Sequence, residues 1–171
     1  MTDHSATPAV EPHDLDTVGR QLGRPVRGVR AVAARCVDGH PTVVETMPRL
    51  PDGTPFPTTY YLTCPSATAA VSTLESQGVM KEMTDDLVTD PELAAAYRSA
   101  HEAYLVHRES LGHVPEIAGV SAGGMPTRVK CLHVLAAHSL AVGVGVNPLG
   151  DRTVELLSSL WTPSTCSWVA Q

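Results

Sequence analysis

Residues 121–151 have the sequence SAGGMPTRVKCLHVLAAHSLAVGVGVNPLGD, and this stretch decides the fold. A glycine loop opens it, and residues 128–142 follow as a predicted helix without a polar face. One side of the helical wheel holds Val129, Leu132, His133, Ala136 and Leu140, and the other holds Cys131, Val134, Leu135, His138 and Val142. A helix that is apolar on both sides is buried on both sides, so we expect it at the centre of the domain.

The segment 26–64 supplies the predicted strands. Residues 26–36 are rich in Val and Ala with interspersed arginines, and a turn sequence separates them from the strand-like residues 42–47. Residues 58–64 alternate with a period of two. Between them, PRLPDGTPFP at 48–57 contains four prolines, which exclude regular structure. We therefore expect an α+β fold, in which a small antiparallel sheet packs against several helices around the buried central one.

The other helices are predicted from their caps and their apolar spacing. Asp90 before Pro91 is a typical N-cap followed by proline at the first helical position. Asp151 is assigned as the cap of the last helix. The predicted helices, apart from the central one, cover about residues 13–23, 65–77, 80–87, 91–111 and 151–160.

The 171 residues are predicted to form one domain, 12–161, between a disordered tail (1–11) and a loose C-terminal tail (162–171). The chain has 12 basic and 18 acidic side chains, a net charge of −6 and 4% aromatic residues. It therefore lacks the positive surface and the stacking side chains of a nucleic-acid-binding protein, and we expect no nucleic-acid partner.

The N-terminus lacks the basic start and apolar stretch of a signal peptide, and the longest apolar segment, 134–146, is too short to span a bilayer. Four cysteines without a CxxC pair are typical of a reducing compartment. We therefore predict a cytoplasmic protein without membrane insertion.

The glycine loop is the candidate site for a small anionic ligand. Gly123 and Gly124 allow backbone N–H groups to approach an anion, and the predicted helix N-terminus adds a partial positive charge. Arg128 and Lys130 supply fixed charge. The pattern matches no nucleotide-binding motif, and a tight loop that admits a buried helix is the simpler explanation.

The cysteines and histidines form a candidate zinc set, namely Cys36, Cys64, Cys131, His133 and His138. On a regular helix Cys131 and His138 are about 10 Å apart along the axis, and Cys131 and His133 differ by about 200° in direction. If residues 129–133 are instead extended, Cys131 and His133 lie on one side. Buried thiols and hydrogen-bonded core histidines are the simpler interpretation.

Cys64 is also a candidate nucleophile. A thiol before a helix N-terminus faces the positive end of the helix dipole, which lowers its pKa. His101, His133 and His138 are candidate bases, and His101 is predicted to point inward. Cys166 lies in the predicted loose tail and carries the least weight.

Several segments resemble the domain of unknown function 501 family. They are RLPDGTPFPTTYYLTCP, LESQGVMKEM, DPELAAAYRSAHEAY and, above all, the stretch 121–151. The resemblance implies a small, mostly actinobacterial cytoplasmic protein, and it implies no reaction and no catalytic residues. The family's genes often neighbour those of a division-septum protein and an exopolyphosphatase, which associates the family with phosphate metabolism or the cell envelope.

Three hypotheses for function follow. The first is a ligand-binding or regulatory protein with a phosphate-like anion at the glycine loop. The second is a zinc-dependent or thiol-dependent enzyme that uses Cys64, Cys131 and His133. The third is a structural partner in a cell-division or envelope complex. The sequence leaves open whether the protein is an enzyme.

Overall fold

A computed structural model describes residues 10–166, 168 and 169. Residues 1–9 of the predicted disordered tail, and residues 167, 170 and 171 of the predicted C-terminal tail, lie outside the described residues. In chain order the described residues form α1 (Pro12–Leu22), β1 (Val29–Arg35), β2 (Pro41–Thr46), β3 (Tyr60–Leu62), α2 (Pro65–Ser76), α3 (Val79–Thr89), α4 (Pro91–Leu111), a short 3-10 helix (Pro115–Ile117), α5 (Leu132–Val142) and α6 (Pro148–Leu157). None of these helices combines the length and the apolar character that crossing a bilayer requires.

The three strands form one antiparallel sheet in the order β1-β2-β3. Val44 of β2 pairs with Val32 on one side and with Tyr61 on the other. Every residue of β2 is buried, because strands flank it on both sides and α5 and α1 contact it. The small antiparallel sheet packed against helices confirms the predicted α+β class.

α5 is the buried centre of the fold, as predicted. Leu132, Leu135, Ala136 and Ala137 have no exposed surface. The helix packs against α6, α2 and β3, so it is covered from several directions. A helix surrounded in this way needs apolar residues around most of its circumference, which explains the missing polar face.

α5 begins at Leu132 and not at residue 128, which corrects the predicted boundary. The backbone N–H of Lys130 donates to the carbonyl of Gly123 at 2.7 Å, and that of Arg128 donates to the carbonyl of Gly124 at 3.2 Å. Cys131 then has extended backbone angles, with φ −154° and ψ 111°, so a helix cannot run from residue 128 through it. The glycine loop and the helix are therefore separated by a short non-helical segment.

α6, in contrast, begins earlier than predicted. Asn147 is its N-cap, since the Asn147 side chain accepts the N–H of Gly150 at 3.0 Å, and Pro148 occupies the first helical position. Asp151, the predicted cap, lies inside the helix and accepts the N–H of Gly145 at 2.8 Å. An Asn-Pro pair is a stronger start signal than an isolated Asp, because proline fixes the first helical φ angle.

The C-terminal segment packs on the fold where a loose tail was expected. The N–H of Val37 donates to the carbonyl of Pro163 at 2.9 Å, and Cys166 is only 6% exposed. The sequence TPSTCSWVAQ has no helical or strand period. Its described residues make individual contacts with the β1–β2 turn and with the start of α2.

Candidate functional site

Glu75, Cys131 and His133 form one group of side chains, called here the Cys131 cluster. Glu75 lies in the last turn of α2, Cys131 immediately precedes α5, and His133 lies in the first turn of α5. One donor atom from each residue lies within 4.8 Å of the other two, and Glu75 Oε1 is 3.2 Å from His133 Nδ1. Each of the three residues is partly exposed, so the cluster is reachable from solvent.

Hydrogen bonds from both helices hold the cluster in place. The N–H of Leu132 donates to Glu75 Oε1 at 2.8 Å, which places the carboxylate at the positive end of the α5 dipole. His133 Nε2 lies 3.3 Å from the carbonyl oxygen of Thr68 and 3.4 Å from Ser72 Oγ. The N-terminus of α5 is thus already occupied by a carboxylate from the chain itself.

Cys131 adopts the extended conformation that brings it to the side of His133. Its φ of −154° and ψ of 111° are those of a strand. The predicted extended segment 129–133 does not reach His133, because Leu132 and His133 already belong to α5. The regular-helix geometry that separates them by about 200° does not apply, since the helix begins one residue later.

The thiol and the imidazole shift each other's protonation. Burial of Cys131 opposes ionisation, but contact with His133 and with the amide of Val134 outweighs burial, and the pKa of the thiol is lowered. Contact with Cys131 raises the pKa of His133 against the opposing effect of burial, and the Glu75 carboxylate raises it further. Each of the two shifts favours the charged form of its own group.

A cleft of about 660 Å³ lies beside the cluster. It is bounded by β3 and the start of α2, by the end of α1, and by the start of α5. Cys131 and His133 both line it. The other lining residues are Gln21, Leu22, Thr58, Tyr60, Tyr61, Leu62, Thr63, Pro65, Thr68, Ala69 and Val134. A reactive group at the Cys131 cluster would therefore face a space large enough for a small molecule.

The structure brings together only Cys131 and His133 of the five candidate metal ligands. Cys36 groups instead with Asp38 and His40 at the β1–β2 turn, where Cys36 Sγ is 3.8 Å from His40 Nδ1. That group lies apart from the cleft, and its Asp38 is exposed.

Two further candidates lie elsewhere in the fold. Cys64 Sγ is 3.5 Å from Cys166 Sγ, and both side chains are buried. His138 is 1% exposed, stacks on Tyr60 and contacts Tyr104 edge to face. Cys64 is therefore a core thiol and His138 a core histidine, as the simpler interpretation of these residues held.

Sequence reasoning missed Glu75, although a signal for it existed. Ala67 and Val71 are buried positions of α2, and Glu75 continues their four-residue spacing. A carboxylate on the apolar stripe of a helix needs a partner inside the protein. The i, i+4 row of α2 therefore marked Glu75 as an inward-facing acid.

Cys64 and His101 do not form a nucleophile–base pair. Burial raises the pKa of the Cys64 thiol and outweighs the hydrogen bond from Ser66, so the lowering expected from the α2 dipole is not found. His101 is partly buried, as its predicted inward direction requires, but its Nδ1 lies 2.8 Å from Ser121 Oγ. The dipole of α2 is too weak to offset desolvation at this buried position.

The glycine loop is shaped by packing. Gly124 has a φ of +93°, and a Cβ there would lie 2.8 Å from the carbonyl oxygen of Arg128. Arg128 and Lys130 are exposed, and neither they nor Gly123 and Gly124 line the 660 Å³ cleft. The anion site at the loop stays a prediction, and the helix N-terminus on which it relied is occupied by Glu75.

Alkylation will separate the two thiols. In metal-free protein at neutral pH we expect iodoacetamide to modify Cys131 faster than Cys64, because the thiolate is the reactive form and the two pKa values shift in opposite directions. Peptide mass spectrometry over a time course measures both rates. His133→Gln should slow Cys131 and leave Cys64 unchanged. Faster modification of Cys64 would contradict the assignment.

A family model described as "Protein of unknown function (DUF501)" matches residues 32–155, which is most of the chain. The chain belongs to the DUF501 family. The match confirms the resemblance noted from the sequence, and it extends from β1 to α6, so the whole Cys131 cluster lies within the DUF501 region. No curated protein and no solved structure matches the chain significantly.

Proposed function

We propose that this DUF501 protein binds a zinc ion at the Cys131 cluster and uses it on a small molecule in the adjacent cleft. The convergence of a carboxylate, a thiol and an imidazole from two packed helices carries the proposal. These are the three donor types that zinc takes in proteins.

The spacing of the donors supports a tetrahedral ion. Two nitrogen or oxygen ligands at about 2.0–2.1 Å from a tetrahedral zinc are roughly 3.3 Å apart. Glu75 Oε1 and His133 Nδ1 are 3.2 Å apart. Coordination through Nδ1 leaves Nε2–H to donate to the Thr68 carbonyl, and such an outer partner orients metal-binding histidines.

The charge of the cluster also suits a cation. With zinc bound, Glu75 and an ionised Cys131 would together contribute two negative charges, and a proton on His133 would compete with the ion. Zinc would displace that proton, so binding should weaken as pH falls. Three protein donors leave a fourth position for water or substrate, which is the arrangement of catalytic rather than structural zinc sites. Zinc held by these three residues would supply a Lewis acid that polarises a carbonyl and lowers the pKa of water.

Elemental analysis tests the proposal directly. Protein purified without chelators or added metal should contain about one zinc per chain. Cys131→Ser and His133→Gln should each weaken zinc binding by roughly 100-fold or more, since even outer-shell changes cost 10- to 100-fold. Competition with a chromogenic chelator measures the affinity.

His40→Gln is the matched control, because it removes a histidine from the other group of candidate ligands at the β1–β2 turn. It should leave the zinc content unchanged. Clearly substoichiometric metal, or a loss of zinc in His40→Gln and not in His133→Gln, would refute a zinc site at the Cys131 cluster.

A thiol-dependent enzyme is the second candidate, and the lowered pKa of Cys131 beside the raised pKa of His133 favours it. In that case Cys131 would be the nucleophile and His133 the base. The effect of zinc on the alkylation of Cys131 distinguishes a zinc site from a thiol-dependent enzyme. If zinc is the resident ion, stoichiometric zinc should protect Cys131 from iodoacetamide. A thiol enzyme would show rapid alkylation of Cys131 in the protein as purified.

A role as a structural partner in a cell-division or envelope complex, a small anionic ligand at the glycine loop and a cytoplasmic location stay predictions from the sequence. The acidic net charge is compatible with all three and favours none of them.

A further inference from the structure

Cys64 and Cys166 bring two thiols into contact from distant parts of the chain. Their sulfur atoms are 3.5 Å apart, although the two residues are 102 positions apart in the sequence. All four cysteines lie in the described residues, and among them only this pair has sulfur atoms in contact. A disulfide bond needs about 2.05 Å between the sulfurs, so small rotations of the two side chains would bring them to bonding distance.

Hydrogen bonds hold the backbone on both sides of this pair. Cys64 is the N-cap of α2, and its carbonyl oxygen accepts the N–H of Thr68 at 2.9 Å. Cys166 follows a turn in which the N–H of Thr165 donates to the carbonyl oxygen of Thr162 at 3.0 Å. The N–H of Thr162 in turn donates to Thr165 Oγ1 at 2.9 Å. Two hydrogen-bonded segments therefore place the thiols against each other.

The two thiols differ in access and in acidity. Cys166 is 6% exposed and the two residues before it are exposed, whereas Cys64 is 1% exposed. Burial opposes ionisation of Cys166, but contacts with the amide of Trp168 and with Cys64 outweigh burial and lower the pKa of the Cys166 thiol. Burial raises the pKa of the Cys64 thiol. A small oxidant should therefore react first with Cys166, because the thiolate is the reactive form.

We propose that Cys64 and Cys166 form a reversible disulfide when the protein meets hydrogen peroxide. The Cys166 thiolate attacks one peroxide oxygen and the O–O bond breaks, which leaves a sulfenic acid on Cys166 and, after protonation, releases one water. The Cys64 sulfur then attacks the Cys166 sulfur. The S–S bond forms, and the sulfenic oxygen leaves as a second water with the Cys64 proton. Two thiols are thus oxidised and one peroxide is reduced.

The bond would join the C-terminal segment covalently to the start of α2. In a reducing compartment, which is the location predicted from the sequence, the two thiols are the resting form and the disulfide is transient. The disulfide does not use Cys131, so it is independent of the zinc proposal.

Tryptic peptide mapping of the full chain tests the disulfide directly. Cleavage after lysine and arginine places each cysteine in a separate peptide, namely 36–49, 50–81, 131–152 and 153–171. After a small excess of hydrogen peroxide, and blocking of the remaining thiols, peptides 50–81 and 153–171 should be joined by a bond that dithiothreitol cleaves. The intact chain should be lighter by two hydrogens. A link to another peptide, or sulfinic acid on Cys166 without a link, overturns the proposal.

The same oxidation in urea tests the role of the folded contact. The link should form much more slowly in the unfolded chain, because the two sulfurs are then rarely close together. Equal rates in native and unfolded protein would contradict the proposal.

Cys166→Ser and Cys36→Ser form the variant pair, since Cys36 is also 6% exposed but its sulfur contacts His40. Oxidation should raise the melting temperature of the wild type and of Cys36→Ser by roughly 5 °C or more, because the bond restricts the unfolded chain. Dithiothreitol should reverse the rise, and Cys166→Ser should show none. Loss of the link in Cys36→Ser, or a linked wild type that melts no higher, refutes a disulfide between the native positions of Cys64 and Cys166.

Discussion

Gly150→Ala should destabilise the protein by about 3 kcal/mol, at the upper end of what overpacking a core costs. Gly150 lies where α6 crosses α5, and a Cβ there would lie 2.5 Å from the carbonyl oxygen of Leu135 and would also overlap Ser139 Oγ. The backbone atom cannot move without displacing the buried central helix. The melting temperature should fall by roughly 10 °C for a chain of this size, measured by calorimetry or circular dichroism.

Gly19→Ala provides the control for the Gly150 prediction. Gly19 is also helical, in α1, but its nearest neighbour is the carbonyl oxygen of Arg24 at 3.6 Å, which is ordinary contact. Alanine there should stabilise the protein by about 0.5–1 kcal/mol, because it reduces the entropy of the unfolded chain. A loss of stability in Gly19→Ala as large as that in Gly150→Ala would show that steric contact with α5 is not the cause.

Acidification should destabilise the protein through His138. Burial lowers the pKa of His138 from 6.5 to about 4. The folded protein therefore keeps this imidazole neutral, whereas the unfolded chain takes up a proton below pH 6.5. The free energy of unfolding that the neutral imidazole contributes is therefore retained above pH 6.5 and is lost as pH falls towards 4. The loss is about 2 kcal/mol between pH 7 and 5 and about 3 kcal/mol by pH 4. Urea unfolding at several pH values measures it.

His138→Phe isolates this effect from other titrating groups, among them His133, whose raised pKa acts in the opposite direction. The ring can still pack on Tyr60, but Asn147 Nδ2 loses its acceptor at 3.1 Å, so the variant should be less stable at pH 7 and should depend less steeply on pH. His113→Gln, whose side chain is 65% exposed in the wild type, should keep the wild-type slope. An unchanged slope in His138→Phe would contradict the assignment.

The α+β class and the central helix were predictable because they depend on local periodicity. Apolar residues occupy most of the circumference of the helical wheel for residues 132–142, and residues 58–64 alternate with the two-residue period of a strand. The caps were less reliable. Asp90 accepts the N–H of Leu93 as predicted, but α5 begins at Leu132 because Cys131 has extended backbone angles.

The candidate site was predictable only in part. Cys131 and His133 were identified by residue type, and the extended alternative applies to Cys131 but not to His133, which is helical. Cys36 and His138 were also proposed as zinc ligands because of their residue type, but their side chains contact other residues. Residue type identifies atoms that can bind a metal, but the orientation of each side chain depends on how its element packs.

The sequence by itself determined the fold class and the burial of the central helix, because composition and a 3.6-residue period decide which surfaces must leave water. Only the tertiary structure decided that Glu75 joins Cys131 and His133. The contact between Glu75 and Leu132 joins residues 57 positions apart, and it exists because α2 packs against α5. Local sequence patterns do not encode the contact between Glu75 and Leu132, since that contact depends on the packing of whole helices.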